Sequence, residues 1–122
     1  MSSLPLFPLH TVLFPGGYLP MRIFEERYLE MVKRCAREGS GFVVVLIRHG
    51  KEVGEVPQIH PVGTFAHIVD FNPLPDGLLG ITVKGDQRMT ITSAAPGADN
   101  LLTGEAACRR EGPDAPLPAS FL

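Results

Sequence analysis

Cysteine is scarce in this chain, and what there is excludes a familiar chemistry. Cys35 and Cys108 stand alone and far apart with no CxxC pair, which removes the usual basis for a structural zinc site. A disulfide between the two stays open, although no secretory feature points to an oxidising compartment. Charge of one sign is also missing: 13 acidic residues face 11 basic ones, for a formal net charge of −2. Phosphate-backbone binding calls for a basic footprint, and none stands out here. Long apolar runs are absent too. The longest, Phe42 to Ile47, falls far short of the roughly 20 residues a membrane-spanning helix needs. The N-terminus, Met1-Ser2-Ser3-Leu4-Pro5, has no cationic segment leading into an apolar one, so a cytoplasmic protein with no membrane partner is expected.

What remains is ordinary globular composition. The 122 residues are 44% hydrophobic and 20% charged, enough for one domain with its own core. The barrel-forming domain is expected over residues 1–111. Residues 112–122, opening Gly-Pro-Asp-Ala-Pro-Leu-Pro, are expected to be a proline-rich linker or the start of a helical extension.

Local patterning predicts several short strands and one helix. Leu4 to Leu9 is apolar and broken by prolines, as in an edge strand or one entered through an extended segment. Pro15-Gly16-Gly17 is a turn signal, followed by a strand over Tyr18 to Ile23. Phe24, Tyr28, Met31, Val32, Cys35 and Ala36 recur at helical spacing and predict an amphipathic helix over about residues 25–38. Glu25 and Glu26 suit its first turn, Glu30 and Arg34 form an i,i+4 pair, and Gly39 is its stop. Strands follow at Phe42 to Arg48 and at Val62 to Asn72, the latter bent or bulged at Gly63. Asp76-Gly77 closes a hairpin, Leu78 to Lys84 returns, Gly85-Asp86 turns again into Gln87 to Thr92, and a last strand covers Leu101 to Arg109. Short strands with tight turns and one helix fit a curved, mainly antiparallel, barrel-like sheet with the helix covering one end.

Several of these segments together carry a resemblance. Leu4-Pro5-Leu6-Phe7-Pro8-Leu9 before Val12-Leu13-Phe14-Pro15-Gly16-Gly17, then Leu19-Pro20-Met21-Arg22-Ile23-Phe24-Glu25 into Arg27-Tyr28, is similar to the opening of the Lon protease N-terminal domain. Val62-Gly63-Thr64-Phe65-Ala66-His67-Ile68 resembles a further strand of that family, and Asp76-Gly77 with Ile81 to Gly85 and Arg88 resembles its hairpin. The resemblance implies a PUA-like pseudobarrel, mainly β with one helix. It also implies a non-catalytic substrate-recognition role, as in short bacterial proteins that keep only this domain.

The residues offer nothing against that role. The only Gly-Lys pair, Gly50-Lys51, has Val45 where a phosphate loop needs its first glycine and Glu52 where it needs serine or threonine. Lys33, Lys51 and Lys84 are the only lysines, and none sits in a Ser-Lys dyad context. His10, His49, His60 and His67 lack any metal-ligand spacing. Asp70, Asp76 and Asp86 are better read as turn and strand-end residues than as a general acid–base pair. No catalytic residue, cofactor or metal is therefore expected. The candidate partner contacts are apolar side chains near turns: Phe14, Tyr18, Phe71, Leu74 and Leu78. The partners expected are unfolded or apolar polypeptide segments, or a second copy in a homo-oligomer. The competing expectation, RNA binding, needs a basic face drawn from Arg22, Arg27, Arg48, Lys51 and Arg88.

Overall fold

The computed structural model describes residues 3–52, 56–75, 78–97 and 99–108. In chain order the elements are β1 (Leu4–Leu9), β2 (Tyr18–Ile23), α1 (Glu26–Glu38), β3 (Phe42–His49), β4 (Gln58–Pro73), β5 (Leu79–Pro96) and β6 (Leu102–Cys108). The expected Asp76-Gly77 hairpin tip and the 112–122 linker lie outside the described residues.

The strands form one mixed sheet in the order β2-β5-β4-β3-β1-β6, and a further β5–β6 pairing closes it into a barrel. All pairings are antiparallel except β1 with β3. Closure rests on the length of β5. Its first half pairs with β2 from Leu79 to Lys84, and its second half pairs with β6 from Met89 to Pro96. β4 runs alongside both halves.

The β1–β3 pair is apolar on both faces, and that divides the interior in two. Phe42, Val43, Val44 and Val45 are each at most 3% exposed, so the run reads as continuously hydrophobic rather than alternating. Val43 and Val45 point into the barrel with Leu6, Met89, Ile91, Leu102 and Ala106. Phe42 and Val44 face the other way with Phe7, onto Tyr28, Met31, Val32 and Cys35 of α1. Met21, Ile23, Ile81 and Val83 from β2 and β5 close over the same helix. Phe7 joins the layers directly, stacked on Tyr28 at 4.1 Å and tilted against Phe42 at 5.7 Å.

α1 follows its expected spacing with three differences. Phe24 precedes the helix and is 55% exposed, and Ala36 lies on the solvent side. Glu30 sits 4.0 Å from Lys33 at i+3, so the ion pair forms there and not with Arg34. The third is Arg27, which is only 7% exposed. Its guanidinium donates to the Asn100 carbonyl at 2.8 Å, pairs with Glu25 at 3.1 Å and lies 4.7 Å from the centre of the Tyr28 ring. It ties the first turn of the helix to the β5–β6 connection. At the far end Gly39 takes the left-handed conformation (φ 66°) and its N–H donates to the Cys35 carbonyl.

Two further expectations are corrected by the pairing. β1 is not an edge strand, because β3 flanks Leu6 to Leu9 and β6 flanks Leu4 and Pro5. The two neighbours sit at opposite ends of the strand, so Pro8 has only β3 beside it and its missing donor leaves no gap in the β6 ladder. Nor does Gly85-Asp86 make a turn. β5 runs through it as a single strand of 18 residues, with three steps from Gly85 to Arg88 set against two from Thr64 to Ala66 on β4. The extra residue is a bulge, which uses the same backbone freedom the turn signal advertised. On the β5 side register shifts fall there and between Ile68 and Asp70; on the β3 side one begins at Gly63, where four steps from Ile59 to Gly63 face two from Val45 to Ile47, in keeping with the expected bulge or bend.

Gly85 is also where the β1–β2 loop docks. Gly16 N–H donates to the Gly85 carbonyl and Gly85 N–H donates to the Gly17 carbonyl, each at 2.8 Å. Thr64 Oγ1 donates to the Leu13 carbonyl at 2.6 Å beside them. A Cβ on Gly85 would lie 2.5 Å from the Phe14 carbonyl oxygen, so only glycine allows this approach. A methyl group at Gly97, by contrast, would meet no neighbour closer than 3.4 Å. Gly85→Val is expected to cost about 2–3 kcal/mol through displacement of the loop. Gly97→Ala is expected to stay within about 0.5 kcal/mol of the parent. Urea midpoints at constant slope distinguish the two, and equal stabilities would contradict the docking account.

Burial raises the Tyr28 hydroxyl above its ordinary 10.0, against a lowering from Arg27, and raises the Cys35 thiol above its ordinary 9.0. Both groups are neutral in the fold and would ionise more readily unfolded. Their contribution to stability is therefore complete below pH 9.0 and is lost as pH climbs through the raised folded values. Melting temperature should be level from neutrality to pH 9.0 and then fall, with Tyr28→Phe softening the fall above pH 10.0. A melting temperature that rises with alkali would contradict this.

Candidate functional site

The largest exposed apolar side chains are Phe14, Tyr18, Phe24, Val69 and Phe71, at 41%, 63%, 55%, 45% and 47% exposure. Phe14, Tyr18 and Phe71 are among the five candidates from sequence; the other two, Leu74 and Leu78, are half-buried. The five do not form one cluster. Phe14 and Tyr18 flank the docked β1–β2 loop, with Lys84 Nζ 5.7 Å from the centre of the Tyr18 ring. Leu74 folds down over Gly80, and its N–H donates to the Leu78 carbonyl at 2.9 Å.

A concavity lies elsewhere, where β1, β2 and the start of α1 meet. It encloses about 330 Å³, with Phe7, Leu9, Leu19, Met21, Ile23, Phe24 and Tyr28 as apolar lining and Thr11, Arg22, Glu25 and Glu52 among its polar groups. The local folding explains each wall. β2 alternates, so Leu19, Met21 and Ile23 turn toward the core while Tyr18, Pro20 and Arg22 turn outward. The Phe7–Tyr28 stack forms the rear, and Arg27 fixes the helix terminus that carries Glu25. Glu52 Oε2 accepts the His10 N–H at 2.9 Å, holding the chain after β3 against the end of β1.

None of the five sequence candidates lines this cleft. The signal that marks it is present in Leu19-Pro20-Met21-Arg22-Ile23-Phe24, a strand with a central proline. Strand prolines belong at edges, and the rule identifies β2 where the prolines of β1 mislead. Phe24 fits the spacing of the helix stripe, yet the helix starts two residues later.

Two further concavities are larger and more open to solvent. A groove of about 410 Å³ runs over Gly80 between Arg22, Asp70, Asn72 and Leu74. Another, of about 660 Å³, is lined by Leu4, Phe65, Asp86, Gln87, Met89 and Cys108. In it the exposed Cys108 thiol donates to Gln87 Oε1 at 2.7 Å, and nearby His67 Nδ1 lies 2.6 Å from Asp86 Oδ2. Cys35 and Cys108 are both free thiols. Among the described residues no group of three or more His, Cys, Asp or Glu side chains converges as a metal site, and no helix is long and apolar enough to cross a membrane.

Comparison with known proteins fits this architecture. The chain is 30% identical over 93 residues to a Lon protease of Flavobacterium johnsoniae and 33% identical over 92 residues to Lon protease 2 of Herpetosiphon aurantiacus. Each match covers 73% of this chain but 11% of the relative, so the chain spans about a ninth of the Lon proteases it matches. The crystal structure of a Lon N-terminal domain protein from Xanthomonas campestris superposes with a TM-score of 0.78 at 37% identity, over 98% of this chain and 67% of that one. The N-terminal domain of a Mycobacterium avium complex Lon protease shares the fold, with a TM-score of 0.62 at 18% identity over 91% of this chain and 56% of that one. The sequence profile of the ATP-dependent protease La (LON) substrate-binding domain matches residues 3–115. With the two-core pseudobarrel and its profile in agreement, the chain belongs to the Lon substrate-binding domain family.

Proposed function

We propose that this chain is a non-catalytic recognition module that holds apolar stretches of unfolded polypeptide in the cleft between β1, β2 and the start of α1. The observation that carries the proposal is Phe24, a large aromatic side chain 55% exposed at the mouth of an apolar cavity of about 330 Å³. Solvent-exposed aromatics beside a concave apolar wall are the usual anchors of a binding surface. Membership of a family described by substrate binding supports polypeptide as the ligand class. The match lies in the substrate-binding part of the Lon relatives, not the catalytic part, which supports a role without chemistry of its own. We propose the cytoplasm as its place of action, in line with its Lon relatives.

RNA binding draws less support. Two of the five side chains that a basic face would need, Arg27 and Arg88, are 7% and 3% exposed and cannot meet phosphates.

Fluorescence anisotropy with a labelled, permanently unfolded polypeptide tests the proposal. Phe24→Asp should weaken binding roughly tenfold while leaving the melting temperature in place, because the side chain is largely in solvent. Ala95→Asp, on the exposed end of β5, should bind like the parent. Failure of the parent to bind unfolded chains, or unaltered binding by Phe24→Asp, contradicts the proposal.

A further inference from the structure

β2 is an edge that opens onto the cleft. Among the described residues it pairs with β5 alone, so the backbone groups on its other side have no neighbouring strand. Pro20 sits in the middle of that edge and has no donor to offer, which discourages indiscriminate pairing with other sheets without sealing the edge. Residues 19–23 form one wall of the cleft, and Leu9 at the end of β1 stands across from them. A slot bounded by a free strand edge accepts an extended chain by backbone hydrogen bonding, with side-chain pockets supplying selectivity.

The polar groups of the lining are not evenly charged. Glu25 and Glu52 contribute two carboxylates to the lining, both near enough to the Tyr28 hydroxyl to act on it electrostatically. Arg22, the single cation of the lining among the described residues, turns outward on β2 and also borders the neighbouring groove with Asp70 and Asn72. Glu25 is engaged by Arg27, whereas among the described residues Glu52 receives a backbone N–H from His10 and pairs with no cation. An apolar slot ending in two carboxylates is complementary to an apolar residue followed by a positive one.

Resting on the proposal that the cleft binds polypeptide, we infer that its preferred occupant is an extended segment that adds a strand to the free edge of β2, buries an apolar side chain against Leu19 and Phe24, and sets an adjoining lysine or arginine at the Glu25–Glu52 end. The class of partner is thereby narrowed. Purely apolar segments bind, and those flanked by a basic residue bind better.

The test uses the full chain and short labelled peptides that share a Leu-Phe centre and differ only in the adjoining residue, which is lysine, glutamine or glutamate. The lysine peptide should bind about three- to fivefold tighter than the glutamine peptide, the range for a partly exposed ion pair, and the glutamate peptide should bind weaker still. Glu52→Gln should erase most of that preference, so that the lysine and glutamine peptides bind nearly alike; Glu25 is left alone because it supports the buried Arg27. N-methylation of alternate backbone amides on the edge-facing side should weaken binding about tenfold, through lost strand pairing. Equal binding of the three peptides, an undiminished lysine preference in Glu52→Gln, or full-strength binding of the N-methylated peptide overturns the inference while leaving polypeptide binding in place. Binding of no peptide at all sinks both.

Discussion

Everything in this fold follows from a two-stranded parallel pair that is apolar on both sides. Phe42 to Val45 beside Leu6 and Phe7 cannot be satisfied by a single layer, because each fully buried side chain forfeits on the order of 1.5–3 kcal/mol if left in water. One face is covered by closing the sheet into a barrel, the other by α1 with β2 and the first half of β5 folded over it. β5 has to serve both enclosures, and its change of direction is made where Gly85 is bulged and clasped by the β1–β2 loop. The cleft is a by-product of the same requirement. β2 reaches over the helix to cover Met31 and Val32, and there, among the described residues, it pairs with β5 alone.

The sequence shows this unevenly, for physical reasons. Period-3.6 spacing places α1 to within a residue or two, because a helix on a sheet needs one buried stripe and nothing else on its surface competes with that signal. The strand over Phe42 to His49 is equally plain, since only a doubly buried strand tolerates such a β-branched run. Glycine and proline signals are visible and some hold, as at the Gly39 helix stop, but others mislead. At Gly85 the residue supplies close approach within a strand and not a reversal, and in β1 the prolines are accommodated by neighbours at opposite ends. Those distinctions depend on which backbone lies alongside, and that information is not local.

The candidate site is harder still to read. Phe14, Tyr18 and Phe71 are exposed, but exposure alone does not make them converge. The cleft draws its lining from Phe7 to Glu52, and only the folded chain brings the end of β1, the edge of β2 and the helix start together. Arg27 illustrates the limit. In sequence it is one more cation beside two glutamates, whereas in the fold it is buried, bridging Glu25, the Tyr28 ring and the Asn100 carbonyl, and it holds one wall of the cleft in position.

Polypeptide binding at the edge of β2 is open to amide chemical-shift mapping. Titration of the isotopically labelled chain with an unfolded polypeptide should move the resonances of Leu19 to Glu25 and of Leu9, leaving β6 and the Cys108 groove unchanged. Shifts confined to β6 and that groove, or no shifts at saturating ligand, would contradict the account.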